Sequence, residues 1–338
     1  MVKITIKEIA NILNVSTATV SRVLNNAGGY SEETKTRVLD VLDQYNYQTN
    51  ALAKGLRTNR TNSIGVVLPD MTNEYFAKIA ISIEEFFVSK GYTINIYNVN
   101  EDANKEKLMM RDLDSRGVDG LIYVSGNLNT ALNIYEKNIP IVAVNQLQSL
   151  DDQLPVVESD NLMGGYLATK TLLERGSKRI ILLRDERDIQ PINQRHHGFS
   201  KALQEFGYDS DLFVHHIPFN VERAESNVQQ LIERGINFDG IFASSDLLAI
   251  GALKALHRSG IQIPDEVQVI GFDNITFSQY SYPTLSTIHQ DTRALGMKAA
   301  ELLLKSMECR QKKPISTMVI PVTLMEREST RCLDGKQF

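Results

Sequence analysis

The chain contains no tryptophan and only two cysteines, Cys309 and Cys332, with no Cys-x-x-Cys pair. A disulfide framework and a structural zinc site are therefore not expected. No stretch approaches the roughly 20 apolar residues that a membrane helix needs. The opening Met1-Val2-Lys3-Ile4-Thr5-Ile6-Lys7-Glu8 alternates charged and apolar residues too quickly for a signal peptide, which points to the cytoplasm. Also missing are a GxGxxG turn, a phosphate-binding loop, a GxSxG elbow and any nucleophile with a sequence-marked base. No enzyme activity and no cofactor are expected. His196-His197 and His215-His216 are adjacent pairs, which point apart on regular elements and lack evident carboxylate companions, so no metal site is expected. Asp151-Asp152 reads as a solvated loop.

What is present is 338 residues, enough for two or three folded units. The 42% hydrophobic and 23% charged residues give an ordinary globular balance. The net charge of −5 by itself does not suggest a nucleic-acid binder, but its distribution is uneven. Residues 1–60 hold 8 basic and 5 acidic residues, a charge of +3, and the remainder carries −8. A mildly basic head on an acidic body suits contact with DNA at one end only.

The spacing of apolar residues predicts a helix over 5–13, with Thr5 and Glu8 forming a capping box and Asn14 in a tight turn. A second helix starts at Ser16 with Val20, Val23 and Leu24 inward. A third follows Ser31 and carries Val38, Val41, Leu42 and Tyr45. Residues 57–62 are all polar and read as a linker. Beyond them, short apolar runs alternate with amphipathic helical stretches from Ile64 to Val144, and again from Asp160 to Phe272. Such alternation means parallel sheets covered by helices, and two runs imply two doubly wound lobes. Ligands bind beyond the carboxyl ends of the strands in such sheets.

In a helix-turn-helix the second helix enters the major groove. Here that segment is Val15-Ser16-Thr17-Ala18-Thr19-Val20-Ser21-Arg22-Val23-Leu24-Asn25-Asn26. Thr17, Ala18, Ser21 and Arg22 lie on or near its exposed side. The small side chains allow deep seating, and Arg22 can pair bidentately with guanine. Thr19, Ser21 and Asn25 can donate to phosphates. Together with Thr5-Ile6-Lys7-Glu8-Ile9-Ala10, Tyr30-Ser31-Glu32-Glu33-Thr34, Tyr47 and Asn50-Ala51-Leu52-Ala53-Lys54-Gly55-Leu56-Arg57-Thr58, this string resembles the lactose-repressor/galactose-repressor (LacI/GalR) family. The resemblance implies that Thr17 and Ala18 tune operator choice and that Arg22 reads a base pair, with Thr5 and Ser16 among the DNA-contact candidates. It also implies a hinge helix over 50–56 that folds on DNA, carrying Asn50 and Ala53, with Leu56 wedged into the minor groove. Thr49 stands where the family usually has proline. Gly55 costs a helix interior about 1 kcal/mol relative to alanine, so this hinge should depend heavily on DNA.

The resemblance continues through Ile64-Gly65-Val66-Val67-Leu68-Pro69-Asp70, Asn73-Glu74-Tyr75-Phe76, Asp160-Asn161, Gln194-Arg195, Ser245-Asp246, Gly271-Phe272-Asp273-Asn274 and Glu326-Arg327-Glu328-Ser329-Thr330. Ser177 stands where the family often has histidine. The implied fold is an all-α helix-turn-helix head plus an α/β body of two parallel-sheet lobes of periplasmic-binding-protein type I. The expected division is 1–49 for the head, 50–62 for the hinge and linker, and 63–338 for the effector and dimerisation domain. Its two lobes would be about 63–160 plus 291–319, and 161–290 plus 320–338. Expected effector contacts are Arg195 and Asp273, then Asn73, Asn145, Ser245, Asp246 and Gln290, with Tyr75, Phe76 and Phe219 as apolar walls. Asp246 can equally be a helix cap. The expected partners are pseudo-palindromic double-stranded operator DNA, a small sugar-like effector and a second copy of the chain, with no membrane. The C-terminal seven residues carry no leucine heptads, so no tetramerising coiled coil is expected. A sugar-binding module without DNA binding, a sugar-converting enzyme, a global carbon regulator answering to a phosphoprotein and a corepressed regulator remain as other readings.

Overall fold

The computed structural model describes residues 4–24, 26–45, 47, 60–100, 102–124, 139–145, 154–209, 213–308 and 317–332. The chain divides into two compact units, Met1–Thr61 and Asn62–Phe338.

The first unit is built on three helices: α1 (Ile6–Leu13), α2 (Thr17–Leu24) and α3 (Glu32–Gln44). The expected capping box closes α1. The Glu8 amide donates to Thr5 Oγ1 at 3.3 Å, and the Thr5 amide donates to Glu8 Oε2 at 2.7 Å. These bonds hold the Glu8 carboxyl below its ordinary pKa. Asn14 ends α1 in the left-handed region at φ 52°. Ser16 and Ser31 open the next two helices by accepting from the Thr19 and Thr34 amides at 3.0 and 3.1 Å. Ile9, Ala10, Leu13, Val20, Val23, Val38 and Leu42 form the shared core. Tyr45 is 48% exposed because α3 ends at Gln44 and the backbone leaves the helix there.

The second unit holds two six-stranded sheets. The strands are β1 (Ser63–Leu68), β2 (Thr93–Asn98), β3 (Gly120–Val124), β4 (Ile141–Val144), β5 (Val156–Ser159), β6 (Ile180–Asp185), β7 (Val214–Ile217), β8 (Gly240–Ala243), β9 (Gln268–Asp273), β10 (Ser286–Gln290), β11 (Thr317–Ile320) and β12 (Val322–Met325). The first sheet runs β11-β5-β4-β3-β1-β2 and the second β12-β10-β9-β8-β6-β7. All pairings are parallel except β12 against β10. Covering helices are α4 (Glu74–Val88), α5 (Ala103–Arg116), α6 (Asn161–Glu174), α7 (Gln190–Glu205), α8 (Val221–Glu233), α9 (Asp246–Arg258) and α10 (Thr292–Glu308). The central strands β1, β3, β6 and β8 are buried along their whole length, as sheets covered on both faces require. Helix α10 packs on the first sheet through Leu295, Ala299, Ala300 and Leu303. The chain therefore passes between the lobes at 159–161, 290–292 and 320–322. Everything beyond β9 escapes the sequence rhythm, since β10, β11 and β12 are short and one of them reverses direction. Helix α7 starts at Gln190, where Pro191 fits the first turn of a helix.

Helices α6 and α7 press backbone against backbone. A Cβ at Gly165 would stand 2.1 Å from the Arg195 carbonyl oxygen, and one at Gly198 2.1 Å from that of Leu162. Neither obstacle is a flexible side-chain tip, so the helices would have to part. Gly165→Ala should cost at least about 1–3 kcal/mol. It should appear as a lower urea midpoint, and an unchanged midpoint would show that α7 can shift freely.

Candidate functional site

A cavity of about 50 Å³ lies between the carboxyl ends of the two sheets. Arg195 dominates it. Its Nε donates to Asn161 Oδ1 at 2.9 Å, and one terminal nitrogen donates to the Ser244 carbonyl at 2.6 Å. The guanidinium lies 3.7 Å from the Phe272 ring centre and 3.7 Å from Asp273 Oδ1. Stacking and an ion pair together hold it, while burial lowers its pKa and Asp273 opposes that. Asp273 ends β9 with a φ of 114°, a strained backbone for a residue other than glycine. Burial pushes its pKa up to about 6, against the pull of Arg195.

A hydrogen-bonded chain joins Asp273 to the other lobe. Asn145, at the end of β4, donates to the Tyr75 hydroxyl, and accepts from the Ser159 amide at 2.9 Å. Tyr75 donates to Gln290 Oε1 at 3.2 Å, and Gln290 donates to Asp273 Oδ1 at 2.7 Å. Burial drives the Tyr75 phenol upward, so it stays protonated. Asn73 caps α4, accepting from the Tyr75 amide at 3.0 Å, and also lines the cavity.

Of the effector contacts expected from sequence, Asn73, Tyr75, Phe76, Asn145, Arg195, Phe219, Ser245 and Asp273 all line the cavity. Two are placed elsewhere. Gln290 stands behind the wall and orients Tyr75 and Asp273. Asp246 spends both oxygens on the protein, accepting from the Ile275 amide at 2.8 Å and from the Thr287 hydroxyl at 2.5 Å. Burial keeps its pKa well above the usual carboxylate range. Nor is Asp246 the cap of α9; Ser245 is, accepting from the Leu248 amide at 3.4 Å. The sequence reading missed Asp185, Arg187, Ile189, Pro191 and Ile192, which complete the lining. The run Asp185-Glu186-Arg187-Asp188 looks like a solvated loop. The signal available was that Asp185 closes a buried strand at its carboxyl end.

In the head, Thr17, Ala18 and Arg22 are exposed on α2, and Ser16 Oγ lies 2.9 Å from Thr19 Oγ1. Asn25, Asn50, Ala53 and Leu56 lie outside the described residues. Among the described residues no group of three or more His, Cys, Asp or Glu could hold a metal, and no helix is long and apolar enough to cross a membrane.

Residues 5–50 match the model for bacterial regulatory proteins of the lacI family, and residues 169–330 match a periplasmic binding protein-like domain. The ribose operon repressor of Halalkalibacterium halodurans is 36% identical over 97% of both chains. The chain belongs to the lacI family. Another relative, the transcriptional repressor PurR of Aliivibrio salmonicida, is 32% identical over 90% of this chain and 92% of its own. Among solved structures, the lac repressor dimer bound to operator superposes with a TM-score of 0.88 at 24% identity, covering 98% and 100% of the two chains; it shows the fold. A lacI-family regulator of Enterococcus faecium with bound ribose superposes with a TM-score of 0.73 at 29% identity, covering 80% of this chain and 100% of its own. The chain is thus a DNA-binding transcription regulator of the repressor kind, not an enzyme.

Keeping Asp273 charged while buried costs folding energy. Its pKa is raised on folding, so its contribution is most favourable below the unfolded value near 4 and is lost as pH rises through about 6. Asp273→Asn should therefore raise the melting temperature of the ligand-free protein at pH 8 and change it little at pH 4. Parallel melting curves across that range would refute the assignment.

Proposed function

We propose that the chain is a cytoplasmic repressor of carbohydrate-utilisation genes, released from its operator by a small sugar held between the lobes. The reading rests above all on the buried Arg195–Asp273 pair, beside Asn145 and Ser245, in a cavity with aromatic walls. Sugars are recognised by planar groups that donate and accept in pairs, stacked against apolar faces. The name of the Halalkalibacterium relative and the ribose bound by the Enterococcus regulator favour a pentose. The proposed division is a head at 1–49, a hinge at 50–62 and two lobes that exchange strands near 319–322.

On the DNA side, Thr17, Ala18 and Arg22 present the reading face. Ser16, Thr19, Ser21, Asn25 and Thr5 supply backbone contacts. Asn50, Ala53 and Leu56 form the hinge, with Leu56 as the minor-groove wedge. A homodimer on a pseudo-palindrome fits the more than half-exposed Ile81 and Val88 in one lobe and Phe277, Tyr280 and Tyr282 in the other.

An operator selected from a random duplex pool provides the test. Arg22→Ala should lose about 1–3 kcal/mol of discrimination between that operator and random DNA. An equal fall on both would make Arg22 a phosphate anchor only. D-Ribose should weaken operator binding by about 5- to 150-fold, the usual size of such coupling. Arg195→Ala should abolish that response while leaving operator affinity without sugar nearly intact. A response that persists in Arg195→Ala would move the effector site elsewhere, and a sugar that tightens DNA binding would make this a corepressed regulator.

A further inference from the structure

The inner cavity opens toward a wider cleft of about 600 Å³, lined on one side by Asp70, Asn98 and Asn100 and on the other by Glu186. Three side chains belong to both spaces: Phe76, Arg187 and Phe219. Arg187 is the charged one, and it is held in three ways. Its amide donates to Asp185 Oδ1 at 3.0 Å. Its Nε donates to the two Asp185 oxygens at 3.0 and 2.8 Å, and a terminal nitrogen closes the bidentate pair. Its guanidinium lies 4.5 Å from the Phe219 ring centre. Asp185 is fully buried at the end of β6, so the fork is anchored to the sheet rather than to a loose loop.

We propose that Arg187, pinned by Asp185 and stacked on Phe219, is the partition that limits the inner site to a single free monosaccharide. This rests on the reading of that site as a sugar site. On that reading a free sugar binds on the Arg195 side of the partition. A sugar carrying a bulky aglycone must place that group where the guanidinium lies, and so must pull it off Phe219 and away from Asp185. Breaking a bidentate pair with a fully buried carboxylate is costly, because the carboxylate is left without its partner. The outer cleft has the room such a group would need. Of the three side chains shared by the two spaces, Arg187 is the charged one, and it thereby determines specificity.

Binding of D-ribose, D-xylose and D-glucose to the full chain is measured by titration calorimetry. The tightest of them is then compared with its own 4-nitrophenyl β-glycoside. Wild type should prefer the free sugar by at least 100-fold. Arg187→Ala should cut that preference below tenfold, chiefly by admitting the glycoside. The double variant Asp185→Asn with Arg187→Ala, which leaves no unpaired carboxylate at position 185, should do the same if the single variant folds poorly. An undiminished preference in a folded variant overturns the partition while leaving the sugar site intact. Failure of every free sugar to bind wild type overturns both readings.

Discussion

A guanidinium and a carboxylate kept dry at the seam between two sheets set the terms for the rest of the body. Burial acts against the charge of both Arg195 and Asp273, and each opposes that for the other. Their separation of 3.7 Å gives attraction without a full hydrogen bond. On the proposed reading, a polyol donates to Asp273 and accepts from Arg195. On that reading, stability is given up at Asp273 for the sake of the ligand contact.

That arrangement survives only because the loop beyond β9 is fixed from several directions. Asp246 grips the Ile275 amide and Thr287, and Arg327 donates to Asn274 Oδ1 at 2.6 Å and to the Leu285 carbonyl at 2.6 Å. A strained φ at Asp273 persists where its surroundings over-determine it. Asp246 is buried and strongly perturbed, features that mark functional sites in general. Here they serve the support of a neighbouring carboxylate, and the hydrogen-bond partners distinguish the two roles.

The head was legible almost residue by residue. Thr5, Glu8, Asn14, Ser16 and Ser31 act locally, through bonds spanning three or four residues, and local chemistry is what a sequence displays. The central strands were legible for a related reason, since burial on both faces leaves continuous apolar runs. Long-range partners were not. Nothing local distinguishes Asp246, whose bonds reach Thr287, from Asp273, whose carboxylate faces the cavity. Arg187 was lost in a charged run because its role depends on Phe219, 32 positions away. The terminal strands β11 and β12 lie in different sheets although a single residue separates them, and no periodicity encodes such a switch.

On the proposed reading, the first turn of α4 is where ligand and lobe movement meet. Asn73, Tyr75 and Phe76 line the cavity. Between them Glu74 accepts from the Thr276 amide at 2.8 Å and from its hydroxyl at 2.5 Å, across to the other lobe. Tyr75 reaches the same lobe through Gln290. This one turn thus touches both the cavity and the opposite lobe. A helix is stiff over its length, so a ligand that repositions this turn must move the whole of α4, whose far side exposes Ile81 and Val88. A ligand with equal affinity for both lobe arrangements would shift nothing. The bonds of Glu74 and Tyr75 provide the difference, because they form in the arrangement seen here and must stretch or break in any other.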